Sequence, residues 1–209
     1  MNKPKISKIS PYDLEKAILE SELYNYEFND NVKEKTLLKN VTIDSCIFNN
    51  IDFSNIEIDR IELMDLIFNN CDLSNKNFDY TNLTRVVFNN CKLTGSSFIG
   101  SSLNDIEINN SNSKYINFSD TKMTNIKIEN SDLSNMSFME TKLKNVIFDN
   151  VNFNESEITN TNLNRIDFSY SNISNIKIDS YSLKGMIIDK FQAFDLINLL
   201  GVVIKDNID

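Results

Sequence analysis

The chain has 209 residues, 41% of them hydrophobic, and carries 21 Lys and Arg against 30 Asp and Glu for a formal charge of −9. Its acidic balance argues against direct nucleic-acid binding, which needs a local excess of cations to replace phosphate counterions. With no His and only 4 scattered Gly, the sequence excludes histidine-based triads, His-Glu-x-x-His metal helices and phosphate-cradling glycine loops.

The first segment, residues 1–20, opens with "MNKPKISKISPYDL", which is basic but has no apolar core of the kind a signal peptide needs. A cytoplasmic location is expected. Ser10-Pro11 followed by "YDLEKAILESEL" reads as a short capped helix closing the N-terminal end of whatever follows.

From residue 21 to 188 the chain keeps a beat of five. Leu73, Phe78, Leu83 and Phe88 illustrate it, and steps of five from Leu23 to Ile188 visit 34 positions, of which 32 hold Phe, Leu, Ile or Met. Lys33 and Ser113 are the exceptions. Neither a helix nor a strand buried on one face has a period of five. A slower beat of twenty lies over it. Leu66, Val86, Ile106, Ile126, Val146 and Ile166 are large and apolar, whereas Cys71, Cys91, Ser111 and Ser131 are small. Four pentads therefore make one turn of a repeat. The predicted fold is all-β, a right-handed quadrilateral parallel β-helix of about eight coils, in which each pentad supplies one side and one corner. At the usual strand spacing of about 4.8 Å the rod would be roughly 40 Å long. Within it "NVKEK", residues 31–35, departs enough to form a small bulge. Cys46, Cys71 and Cys91 all precede a central position by two. They are expected to point inward as reduced, hydrophobe-like thiols, although the stacking of Cys71 on Cys91 also allows a disulfide.

Residues 189–209 form the C-terminal element. Asp189 suits an N-cap with Gln192 three residues on, Gly201 suits a C-terminal stop, and Phe194, Ile197 and Leu200 share a helical face. The apolar run here is too short for a membrane span and is interrupted by Asp195 and Asn198.

The pentads "CDLSN", "TNLTR", "SDLSN" and "TNLNR" resemble the motif of the pentapeptide-repeat family, Ala, then Asp or Asn, then Leu and two variable residues. Here Cys, Ser, Thr or a larger apolar residue replaces the Ala, a departure expected to widen the interior. The tail "DKFQAFDLINLLGVVI" resembles that of the quinolone-resistance (Qnr) members, with Gln192-Ala193 followed by Leu200-Gly201-Val202-Val203-Ile204. That resemblance implies a two-fold homodimer through Phe191, Phe194, Ile197, Leu200 and Val202, though a simple cap over the last coil would use the same residues. It also implies DNA gyrase or topoisomerase IV as partner, protected from quinolones by a protein that imitates DNA. The unbroken register leaves no room for the long loops that some of these relatives carry.

Sorted by phase in the twenty-residue turn, the charges segregate. One side holds Glu57, Asp59, Asp79, Asp120, Glu140, Glu157 and Asp179 against Arg60, Lys76 and Lys177. The next holds Arg85, Lys122, Lys142, Lys144, Arg165 and Lys184 against Glu62, Asp65 and Asp105. The seven acidic residues of the first side are the candidate partner contacts, and a solvated rod would also need charges there. An outward series, Ile47, Ile67, Val87 and Ile147, interrupted by Glu107, Lys127 and Asp167, suits strand propensity or an apolar contact. No catalytic residues, cofactor or metal ligands stand out, so the chain reads as a binding protein. An interaction scaffold with a different protein partner is the alternative to a topoisomerase binder.

Overall fold

In the computed structural model, which describes residues 1–197, 199, 201 and 202, the chain is a parallel β-solenoid of about eight coils, as the two periods require. Among the described residues every strand pairing is parallel, and every register is twenty except that of Ser10–Pro11 on Tyr26–Glu27, which is sixteen. Leu63 stands beside Leu83, Leu83 beside Leu103, Leu103 beside Met123, and Met123 beside Leu143. Two adjacent sides are continuous strands, Glu62–Asn69, Asn82–Asn89, Ser102–Asn109, Lys122–Glu129 and Lys142–Asp149. The other two are held largely by single bridges, such as Asp72 with Lys92 and Ser97 with Asn117, and by short strands such as Glu157–Thr159.

The corners show why the period is five. The residue two after each central position lies in the left-handed region almost throughout, for instance Asn70, Asn90, Asn110, Asn130 and Asn150 with φ between 49° and 54°. Asn tolerates this conformation better than most residues do, because its short polar side chain can bond locally. Where a corner has no room for a side chain, Gly takes over. A Cβ at Gly100 (φ 68°) would meet the Tyr80 ring at 2.5 Å.

Inside, stacked phenylalanines form the core. Phe48, Phe68 and Phe88 have ring centroids 4.9 and 5.1 Å apart and nearly parallel planes, so their separation is the coil spacing itself. The small inward residues do more than leave space. Ser96, Ser101, Thr121, Thr141 and Thr161 donate from their hydroxyls to the carbonyls of Leu73, Phe78, Phe98, Phe118 and Phe138, at 2.6–3.0 Å. Thr81 N and Thr141 N in turn donate to Ser101 Oγ and Thr161 Oγ1. Coils are thus sewn together from within, which accounts for hydroxyl residues where the repeat motif has Ala. All three cysteines are buried free thiols, and burial pushes Cys46 up to about 11.

Register yields at two places. At Lys33 the inward seat is taken by its neighbour Val32, leaving the lysine exposed, and Asn55 holds this stretch by donating to the Val32 and Lys33 carbonyls. In the last coil Tyr181 turns outward, and Ser182, one residue late, supplies the inward hydroxyl that accepts from Thr161 N at 2.9 Å. This shift is accommodated by a helical turn that the sequence reading had counted as an ordinary pentad. It is the second of three α-helices among the described residues, α1 (Leu14–Glu20), α2 (Ser180–Leu183) and α3 (Gln192–Ile197). Asp13 caps α1 by accepting from Lys16 N at 2.7 Å, and α1 buries Leu14, Ala17 and Ile18. Among the described residues no helix is long and apolar enough to cross a membrane.

Candidate protein-binding faces

The seven acidic candidates share one side of the rod but are not equivalent. Asp59 is ion-paired to Lys39 at 2.7 Å and to Arg60 at 3.6 Å. Asp79 is half-buried, and its Oδ1 accepts from Ser97 Oγ at 2.5 Å and Ile99 N at 2.8 Å. Asp179 caps α2, accepting from Ser182 N at 2.6 Å and from Asn160 N at 2.7 Å. These three carboxylates hold the solenoid together. Glu57, Asp120, Glu140 and Glu157 are exposed and make no ion pair among the described residues.

Two of the free four are stacked. Asp120 and Glu140 occupy the same left-handed corner in consecutive coils, with φ of 55° and 56°, and both border a shallow groove with Lys142, Asn160 and Tyr181. At the coil spacing of about 4.8 Å, two like charges in water repel by roughly 0.8 kcal/mol. Like charges also stack at Lys122 on Lys142, Glu129 on Asp149 and Asp52 on Asp72, whereas other columns avoid that cost. Asn69, Asn89 and Asn109 each donate to the preceding Asn of their column at 2.9–3.0 Å, and Asp65 stacks on Arg85. The neighbouring basic side is weaker than its residue count, since Arg85 is spent on a two-pronged bond to Asp65 at 2.6 Å.

The outward apolar series is uneven as well. Ile47 and Ile67 are half-buried, Val87 is 8% exposed and Ile147 57%. No continuous apolar stripe results.

At the C-terminal end, Asp189 Oδ1 accepts from Phe191 N and Gln192 N while Gln192 Oε1 accepts from Asp189 N at 2.9 Å, a reciprocal cap. Gln192 then turns its amide onto the last coil, donating to the carbonyls of Phe168 at 2.9 Å and Ser171 at 2.6 Å. Leu196 is buried beneath the helix. Both anchoring roles were missed in the sequence, where the apolar face was read from Phe194, Ile197 and Leu200. Phe191 and Phe194 point away from the coil, 68% and 59% exposed, with Val202 and Leu199 also exposed. Ile197 is half-buried, and Leu200 and the tail residues Val203 and Ile204 lie outside the described residues. An apolar end of this kind leaves the rod with a face that water solvates poorly. Among the described residues no group of His, Cys, Asp and Glu is placed to hold a metal.

No curated protein matches the chain. Among solved structures it is similar to full-length QnrB1, a plasmid-mediated fluoroquinolone resistance protein, at 21% identity over 86% of this chain and 89% of that one, with a TM-score of 0.42. It is also similar to HetL, a pentapeptide repeat protein involved in heterocyst differentiation regulation from the cyanobacterium Nostoc sp. Strain PCC 7120, at 15% identity over 79% and 86% of the two chains, with a TM-score of 0.34. Two family models match the sequence itself, the pentapeptide repeat region over residues 41–118 and the eight-copy pentapeptide repeats over 116–154 and 147–180. Together these span more than half of the chain, and the chain belongs to the pentapeptide-repeat family.

Proposed function

We propose that this protein binds a type II topoisomerase, DNA gyrase or topoisomerase IV, as a homodimeric rod whose acidic side occupies the basic groove where the enzyme seats DNA, and that it thereby protects the enzyme from quinolones. The observation that carries this reading is the unpaired stack of Asp120 on Glu140, with Glu157 exposed on the same side in the next coil, between Ser137 and Lys177. The solenoid gains nothing from that stack, and a basic partner would neutralise it. Imitation here is of width and sign more than of charge density. Duplex DNA places one charge about every 1.7 Å, whereas the free acidic residues are about one coil apart at closest. Complementary fields of this kind speed and orient encounter. Two further features support the reading, the apolar C-terminal end exposing Phe191 and Phe194, suited to a second copy, and the resemblance of the tail to the Qnr members.

The test reverses Asp120, Glu140 and Glu157 to Lys and, separately, neutralises Lys122, Lys142 and Lys144 to Gln. All six substitutions are at side chains that the coils do not use for hydrogen bonds, so both variants fold. Affinity for purified gyrase and protection of its supercoiling from a quinolone fall strongly in the first variant and little in the second. Equal losses, or none in the first, reject the acidic side as the contact. An absence of any binding by the wild-type protein to gyrase or topoisomerase IV leaves the scaffold reading with another protein partner.

A further inference from the structure

Residues 2–9 lie outside the coils. Asn2 N donates to Asp105 Oδ1 at 2.8 Å and its side-chain amide to Oδ2 at 3.1 Å, the Lys3 ammonium pairs with Glu107, and Lys5 N donates to Asp65 Oδ1 at 2.7 Å. Lys5 O faces Ser45 Oγ at 3.5 Å, one coil further on. Asp105 and Asp65 are corner residues two coils apart. Three residues of extended chain cover about 10 Å, and two coils cover about 9.6 Å, so the segment runs as an extended arm along the rod axis. Pro4 must then cross the coil between them, which explains why Val87 in that coil is covered while Ile147, beyond the arm, is open.

The acids beneath the arm are not imposed by the repeat. The corner column also holds Ser45, Arg85, Asn125, Asn145 and Arg165, and the column of Glu107 also holds Glu27, Ile47, Ile67, Val87, Lys127, Ile147 and Asp167, so acids recur there only toward its two ends. The arm is matched to them, with Lys3, Lys5 and Lys8 and no acidic residue before Asp13. Asp65, Asp105 and Glu107 are consequently among the most deeply covered charged residues of the molecule. Yet the arm itself is held lightly. Its lysines are exposed, and only Pro4, Ile6 and Ile9 are half-buried. Contacts of this kind, an exposed ammonium and two main-chain N–H groups on carboxylates, open locally at little cost and weaken with salt.

We propose that the corner formed by Asp65, Asp105 and Glu107 is a binding site for an extended, lysine-rich segment of a partner protein, and that the N-terminal arm fills this site in cis as a displaceable competitor. The arm displays what such a segment must offer: main-chain N–H groups three residues apart aimed at Asp105 and Asp65, and an ammonium between them for Glu107. Position 4 supplies no donor, so a Pro there sacrifices nothing and holds the chain extended. The site is separate from the acidic side assigned above, and its occupancy does not depend on that assignment.

The test uses the full chain and a fluorescent peptide of sequence MNKPKISK. In wild type the arm occupies the site, and if it is docked in nine of ten molecules the apparent affinity falls about tenfold. Anisotropy titration at low salt is expected to show at least that difference in favour of a Lys3→Glu/Lys5→Glu chain, whose arm is repelled. Adding Asp105→Asn and Glu107→Gln to that chain removes peptide binding. As a check that needs no variant, excess peptide accelerates hydrogen exchange at the Asn2 and Lys5 amides of wild type. Equal binding by the two chains, no binding by the arm-released chain, or unchanged exchange at those amides overturns the proposal. So does a concentration-dependent dimer that Lys3→Glu/Lys5→Glu dissociates, which would assign the corner to the arm of a second copy.

Discussion

Ser113 is fully buried, and its hydroxyl has no hydrogen-bond partner. It stands at a central position between Leu93 and Leu133, and the backbone around it is in register, with Asn112 bridged to Lys92 and Asp132 on either side. A buried hydroxyl left unpaired costs about 1–3 kcal/mol. Ser113→Ala removes it without adding volume, so the variant is expected to be more stable by about 1 kcal/mol, a rise of about 2–4 °C in melting temperature for a chain this size. Ser113→Leu is a different experiment. The neighbouring inward seat in the same coil holds Ile116, whereas the coil with Leu93 has Ser96 and the coil with Phe153 has Ser156, so in these three coils one seat is large and the other small, although Leu133 and Met136 in the coil that follows Ser113 are both large. Leucine at 113 alone therefore crowds Ile116, at a cost of about 1–3 kcal/mol for overpacking. Ser113→Leu/Ile116→Ser restores the arrangement of the preceding coil, and the new hydroxyl can reach the Leu93 carbonyl as Ser96 reaches that of Leu73. Equilibrium urea melts of the three variants decide the matter. A Ser113→Ala chain less stable than wild type would refute the unpaired hydroxyl, and the absence of recovery in the double variant would refute the exchange of volumes.

Phe191→Glu/Phe194→Glu changes two exposed residues, so it is expected to leave the coils intact and convert a dimer into a monomer by light scattering. A dimer that persists removes the C-terminal end as its interface. Gln192→Ala strands the Phe168 and Ser171 carbonyls and one half of the cap, which by the cost of buried unpaired groups should loosen the docking of α3 by about 2–4 kcal/mol, seen as faster hydrogen exchange across Gln192–Ile197. Burial raises the carboxyls of Asp65 and Asp105, but hydrogen bonds outweigh it, from Arg85 and the Lys5 amide at Asp65 and from Asn2 and Asn125 at Asp105, and both end below the usual carboxylate range. A depressed folded value means that the contribution to stability is complete above the free carboxylate value of about 3.9 and is lost as pH falls through the lower folded one. Protection of the Asn2 and Lys5 amides should therefore hold from neutral pH to about 4 and disappear below it, and loss near pH 6 would contradict this assignment.

What was legible in the sequence is what the repeat enforces. A beat of five carried for 34 steps names the inward residues, and a beat of twenty names their neighbours, because stacking gives residues twenty apart one environment. The period alone places Leu63, Leu83 and Leu103 side by side, as the registers do. The reading failed where the chain has freedom that the period does not record. Val32 and Ser182 each take the seat of an adjacent residue, since a lysine and a tyrosine cannot be accommodated inside, and only their neighbours' chemistry hinted at it. Formal charge misled in a similar way. Asp59, Asp79 and Asp179 count as acids in a tally of sides, yet short-range bonds consume them, and Arg85 counts as a base while it lies against Asp65. The arm was invisible because its contacts lie 40 to 104 positions away in sequence, where no periodicity connects the partners.

A parallel solenoid also constrains where function can reside. Every residue has a near-copy one coil above and below, so a charge placed in a column faces its own kind at about 4.8 Å unless the column alternates or is filled by a self-complementary side chain. The column of Asn49, Asn69, Asn89 and Asn109 uses the second solution, and it ends where Glu129 interrupts the series, leaving Asn109 Oδ1 buried without a partner. The corner of Asp65, Arg85, Asp105 and Asn125 uses alternation, completed by the arm. Asp120 on Glu140 uses neither, and Lys122 on Lys142, two residues on, uses neither as well. Residues that obey the columns are explained by the fold, so those that defy them are where selection for a partner can be read. This is why the functional assignment rests on two stacked carboxylates rather than on the net charge of the chain.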